Sequence, residues 1–111
     1  MREKIIEMEK YAKEYNVPII EKDSIAFIMK FIKANDIKDI LEIGSAIGYS
    51  SILMASVKED VKVTTIERDN ARYMECLNNV KECGLQSKIN VVFQDALEMN
   101  LSNVSYDLIF I

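Results

Sequence analysis

The segment Asp39-Ile40-Leu41-Glu42-Ile43-Gly44-Ser45-Ala46-Ile47-Gly48-Tyr49-Ser50-Ser51 joins a short apolar run to a glycine-bearing turn and then to a helix-spaced stretch. Gly44 lets the chain leave a strand sharply and lets backbone come close to a ligand, while Gly48 permits tight packing where a helix starts. A helix beginning there presents backbone N–H groups and positive dipole, suited to a carboxylate or phosphate. About twenty residues further on, Glu67 closes the next apolar run, where an acidic side chain can accept hydrogen bonds from both hydroxyls of a ribose. Asp95 follows a third run in Phe93-Gln94-Asp95-Ala96. Glu42, Glu67 and Asp95 are thus expected together at the carboxyl edge of a sheet, where open α/β folds bind ligands. The competing reading is that each acid merely begins a turn or caps a helix.

The elements that must position these residues follow from periodicity. Ile5, Met8, Ala12 and Tyr15 recur at helical spacing through Met1 to Tyr15, and Asn16 and Pro18 break that helix. A second helix, capped by Asp23 or Ser24, carries Ile25, Ile28, Met29 and Ile32 and ends near Asn35 and Asp36. Beyond Lys38 the runs Ile40–Ile43, Val63–Ile66, Ile89–Phe93 and Tyr106–Ile111 read as strands. Helical patterns at Tyr49–Val57 and Asn70–Cys83 separate the first three, Gly84 ends the second helix, and a short helical turn is expected within Leu97–Asn103. Alternation of this kind implies an α/β fold with parallel strands and helices on both faces. Residues 1–36 are expected as a helical segment and residues 37–111 as an α/β half-domain, incomplete at its C-terminal end.

At 111 residues, half hydrophobic and with a net charge of −4, the chain is composed as one globular domain with no overall attraction to polyanions. It has no His, which removes the commonest general base and zinc ligand. Cys76 and Cys83, about two helical turns apart, match no redox or zinc pattern and read as buried free thiols of a cytoplasmic protein. No stretch is long and apolar enough to span a bilayer. Leu108-Ile109-Phe110-Ile111 reads as a strand buried on both faces, yet the sequence stops inside it, so a truncated chain is expected.

A dinucleotide-binding turn asks for glycine at 44, 46 and 49, and Ala46 and Tyr49 stand at the last two positions. Pyrophosphate fits that turn poorly. S-adenosylmethionine asks instead for ribose and adenine contacts, one carboxylate site and an acid near an ammonium, which Glu42 can supply. Tyr49 either lies against the methionine arm or simply packs.

The segments Leu41–Ser50, Ile66-Glu67, Gln94–Glu98 and Tyr106–Ile111 resemble those of class I methyltransferases of the catechol and caffeoyl-CoA O-methyltransferase type. Val17-Pro18-Ile19-Ile20 is similar to the segment ahead of the first motif in small bacterial members, some of which methylate hydroxyuridine in tRNA. The resemblance implies the N-terminal part of a Rossmann-like class I sheet: about four parallel strands with flanking helices, preceded by two N-terminal helices. It implies that Glu42, Gly44, Ser45, Ala46, Gly48, Tyr49 and Ser50 surround the methionine moiety. Glu67 and Arg68 would lie at the ribose, and Asp95 and Ala96 at the adenine. It also implies a divalent metal whose ligands fall beyond Ile111, so that no residue present is catalytic. The acceptor would be a hydroxyl on a small aromatic molecule or on tRNA, the latter drawing on Lys30, Lys33, Arg68 and Arg72. Asp107, at the start of a strand, reads as structural.

Family members of this type are commonly dimers, and the apolar stripe of the first helix is left for a partner subunit. A nicotinamide-dependent oxidoreductase and a non-catalytic α/β module remain the alternatives, because fold does not fix function.

Overall fold

The computed structural model describes residues 1–100 and 104–111. Two helices come first, α1 (Arg2–Glu14) and α2 (Lys22–Ala34), followed by β1 (Asp39–Ile43), α3 (Tyr49–Ala55), β2 (Lys62–Glu67), α4 (Asn70–Glu82), β3 (Ile89–Phe93) and β4 (Leu108–Phe110). A 3-10 turn covers Ala96–Glu98. Of the Leu97–Asn103 stretch expected to contain a helical turn, Leu101, Ser102 and Asn103 lie outside the described residues.

The sheet runs β3-β2-β1-β4 with every pairing parallel. Register does the positioning: Ile43 pairs with Ile66 and Glu67 with Phe93. The residues just past each strand, Gly44, Arg68 and Gln94, therefore emerge level at one edge. Short apolar runs such as Ile40-Leu41 and Val63 are buried because helices cover them, and Ile32, Ile47, Ile52, Met54 and Val80 complete the interior.

Asn16 and Asp36, both at positive φ, end the first two helices. The expected cap of α2 is corrected: Glu21 occupies the N-cap without a side-chain bond, and Asp23 and Ser24 sit inside the first turn. Asp23 there still complements the helix dipole. Asp69 does cap α4, accepting from the Arg72 N–H at 2.9 Å.

Three further expectations change. The stripe of α1 is covered in part by the chain itself, Met8 and Ala12 being buried in the common core while Tyr15 is 61% exposed. β4 is shorter than expected because Asp107 is spent on a turn: its Oδ2 accepts from the N–H groups of Lys38 and Asp39 at 2.9 and 3.0 Å. Those two bonds also hold its carboxyl below the usual range. β4 pairs with β1 at one side of the described sheet. Finally, Cys76 is buried but Cys83 only half-buried.

Candidate ligand-binding site

Two hollows lie side by side along the carboxyl edge of the sheet. The first, of about 440 Å³, is lined by Glu42, Gly44, Ser45, Ala46, Tyr49 and Ser50 on one side, with Ser24, Ile28, Phe110 and Ile111 among its other walls. The second, of about 460 Å³, is lined by Gly44, Ala46, Glu67, Arg68, Arg72, Asp95, Ala96 and Leu97, among others. Pro18, Ile43, Gly44 and Ala46 border both, so the β1–α3 loop forms the divide of one continuous trough. Of the eleven residues picked out from sequence, ten line one hollow or the other. Gly48 does not; it works from behind.

The loop's shape is set by backbone and by buried polar side chains. Gly44 and Gly48 have φ of +94 and +90, and between them Ala46 is also left-handed at +48. A Cβ at Gly44 would meet nothing within 4 Å, so its backbone angle and its exposure to the trough are what ask for glycine there. A Cβ at Gly48 would sit 2.9 Å from the Cys76 sulfur, so α4 packs directly on the loop. Gly44 donates to the Ile66 carbonyl at 2.8 Å, and buried Asn79 on α4 donates to the Ile47 carbonyl at 2.8 Å.

Glu67 closes the loop from β2. Its Oε1 accepts from the Ala46 N–H at 2.8 Å, and its Oε2 from the N–H groups of Arg68 and Asp69 at 3.1 and 3.0 Å. A carboxylate offers about four lone-pair sites, so capacity remains towards the hollow. Asp95 uses Oδ1 to accept from the Leu97 N–H at 3.0 Å, capping the 3-10 turn. Turn-capping and trough-lining thus coexist in both acids.

Glu42 lies under the first hollow with 1% exposure. Thr65 donates to its Oε1 at 2.6 Å, Ser51 also donates to Oε1, and Ser50 donates to Oε2. Burial lifts its carboxyl above the ordinary range against the pull of those three hydroxyls. Ser45 and Thr65 hydroxyls are 2.6 Å apart, extending the polar cluster towards Cys76. Tyr49 is 3% exposed, and its phenol donates to Glu9 of α1 at 2.6 Å. Burial, and then Glu9, push that phenol's pKa up to about 12.

Thr65, Ser51, Asn79 and Glu9 belong to this arrangement and do not stand out in the sequence. A Thr pair between the buried Val63 and Ile66 of β2 is the one available signal for Thr65; Glu9 lies 40 residues from Tyr49 and offers none.

A family model described as O-methyltransferase matches residues 3–111. The chain belongs to the O-methyltransferase family. Tapetum-specific methyltransferase 1 of Arabidopsis thaliana is 32% identical over all of this chain and 49% of its own length. Flavonoid 3',5'-methyltransferase of Vitis vinifera is 30% identical over 89% of this chain and 41% of its own. The crystal structure of a candidate caffeoyl-CoA O-methyltransferase from Staphylococcus aureus superimposes with a TM-score of 0.90 at 34% identity, over 95% of this chain and 51% of that one. An O-methyltransferase from Bacillus cereus in complex with SAH shares the fold at a TM-score of 0.84 and 22% identity, over 96% of this chain and 52% of that one. The chain spans about half the length of these relatives.

In this O-methyltransferase chain, no three His, Cys, Asp or Glu side chains among the described residues cluster to hold a metal ion. No helix among them is long and apolar enough to cross a membrane.

Proposed function

We propose that this chain is the S-adenosylmethionine-binding portion of an O-methyltransferase, with the methionine end in the first hollow and the adenosine in the second. The observation that carries the reading is that Gly44, Glu67 and Asp95 line one hollow while Gly44, Glu42, Tyr49 and Ser50 line its neighbour. A nucleoside joined to an amino acid needs two such compartments meeting at backbone.

In this reading Glu67 accepts from the ribose hydroxyls with the capacity its three backbone bonds leave. Asp95 and the Ala96 N–H border the adenine, with Leu97, 92% exposed, available to cover its face. Ser50 at the start of α3 borders the methionine end, its hydroxyl proton being given to Glu42. Glu42 acts from beneath, holding the Ser50 and Ser51 hydroxyls, rather than reaching an ammonium itself. When bound, the cofactor supplies an electrophilic methyl on a sulfonium. Transfer to oxygen is an in-line displacement, so the chain's own contribution is to fix the sulfonium's position and direction. The described residues do not fit a metal site, and no step through a metal is assigned to them.

The acceptor belongs to the same proposal. Ile28, Phe110 and Ile111 give the first hollow an apolar wall suited to a small aromatic hydroxyl compound. A hydroxyuridine in tRNA would draw on the exposed Arg68 and Arg72 at the rim. Homodimerisation is part of the same proposal, and a reducing cytoplasmic setting is supported by the free thiols Cys76 and Cys83.

Isothermal titration with S-adenosylhomocysteine and with NAD tests the reading. Binding of the first and not the second is expected; binding of NAD alone, or of neither, overturns it.

A further inference from the structure

We propose that Glu9, on the N-terminal helix, is a positioning residue for ligand binding in the first hollow and acts through Tyr49; this rests on the S-adenosylmethionine reading of the trough. Glu9 Oε2 accepts the Tyr49 phenol at 2.6 Å, and Glu9 Oε1 pairs with the Lys22 ammonium at 3.5 Å. Tyr49 is the first residue of α3 and Lys22 the first of α2. Those helices supply two walls of the hollow: Tyr49 and Ser50 from α3, Ser24 and Ile28 from α2. One carboxylate behind the hollow therefore sets the relation of both walls.

The start of α3 needs an outside anchor. α3 has seven residues, and its N-cap is Gly48, which offers no side chain to bond the first turn. Helices this short are not held by propensity. Ser50 and Ser51 are held from beneath by Glu42, and the orientation of Tyr49 is fixed where its phenol meets Glu9. The acceptor of the Tyr49 phenol is a carboxylate, so the bond is of the charge-assisted kind.

The test is a mutant cycle read by calorimetric titration of S-adenosylhomocysteine, with ligand-free thermal melting in parallel. Glu9→Ala and Tyr49→Phe are each expected to weaken binding roughly tenfold, the size associated with losing a charged hydrogen bond. The double variant should be no weaker than the worse single, since both remove one interaction. Glu9→Gln, which keeps a neutral carbonyl acceptor for the phenol, should recover part of the affinity. Unchanged affinity in Glu9→Ala, losses that add in the double variant, or no recovery in Glu9→Gln overturns the proposal while leaving the cofactor reading intact. A parent chain that binds no S-adenosylhomocysteine overturns both. Should Glu9→Ala fail to fold, Glu9→Asp, one methylene too short to reach the phenol, takes its place in the cycle with the same expected outcomes.

Discussion

Glu67 and Ala46 are joined across the loop: the Glu67 carboxylate, at the end of β2, accepts the Ala46 N–H at 2.8 Å while lining the second hollow. The residue that would hold a ribose thus also holds Ala46 in its left-handed conformation, φ +48. Left-handed backbone costs a non-glycine residue about 1 kcal/mol, and a bond to a charged acceptor is of a size to offset it. Ligand recognition and loop shape are therefore coupled through one side chain.

That coupling predicts a double loss for Glu67→Ala. Three backbone N–H groups lose their acceptor, so stability to urea should fall by about 2–3 kcal/mol. S-adenosylhomocysteine should in addition no longer raise the melting temperature. A variant that melts as the parent does, and is still stabilised by the ligand, would show that neither role is real.

Gly48 faces two separate penalties. Its φ of +90 strains any L side chain, and a Cβ would stand 2.9 Å from the Cys76 sulfur. Gly48→Ala should cost about 2–4 kcal/mol, combining the strain of a left-handed alanine with overpacking. Adding Cys76→Ala should return only part of that, because it relieves the clash and leaves the backbone angle. Full recovery in chemical denaturation would mean that φ carries no cost here; no recovery would mean that the sulfur is not the obstacle.

How far the sequence reveals this architecture depends on the range of the interaction. β1 and β3 are legible because each apolar run stops at a glycine or a polar turn, and the acids at the sheet edge follow once parallel pairing sets those stops level. Gly84 at φ +68 ends α4 for a reason local to the backbone. Thr65 under Glu42 is not legible, because their pairing depends on strand register. The burial of α1 is hidden for the same kind of reason: Lys4 pairs with Glu82 and Glu9 with Tyr49, contacts that only tertiary packing creates. The extent of β4 is overstated by its sequence because Asp107 is taken up by bonds to the Lys38 and Asp39 N–H groups at the start of β1, a contact 69 and 68 residues away along the chain.

Glu42 should make stability depend on pH with a definite sign. Burial raises its folded-state pKa above the ordinary 4.5, so the folded chain holds the proton more tightly than the unfolded one. Its favourable contribution is complete below pH 4.5 and is lost as pH rises through the folded value. Glu42→Gln does not titrate. The stability difference between variant and parent should therefore move in the variant's favour as pH rises from 4.5, with a slope of up to about 1.4 kcal/mol per pH unit until the folded carboxyl has ionised. Urea denaturation across that range checks the slope, and a difference independent of pH would show that the carboxyl keeps its ordinary affinity for protons.

The two thiols should separate cleanly by reactivity. Only the thiolate attacks, so both access and proton affinity matter. Cys76 is fully buried, and burial, followed by the nearby carboxylates of Glu42 and Glu67, pushes its pKa up to about 12. Cys83 is half-buried; burial raises its pKa too, opposed by the positive charges of the N-terminus and Lys4. Under native conditions an aromatic disulfide reagent should titrate Cys83 alone, and Cys76 should follow only on unfolding. If S-adenosylhomocysteine tightens the loop that packs on Cys76 through Gly48, it should slow the labelling of Cys76 further in mild denaturant and leave Cys83 unaffected. Equal labelling of both thiols in the native chain would contradict the packing of α4 on the loop, and with it the way the site is held in shape.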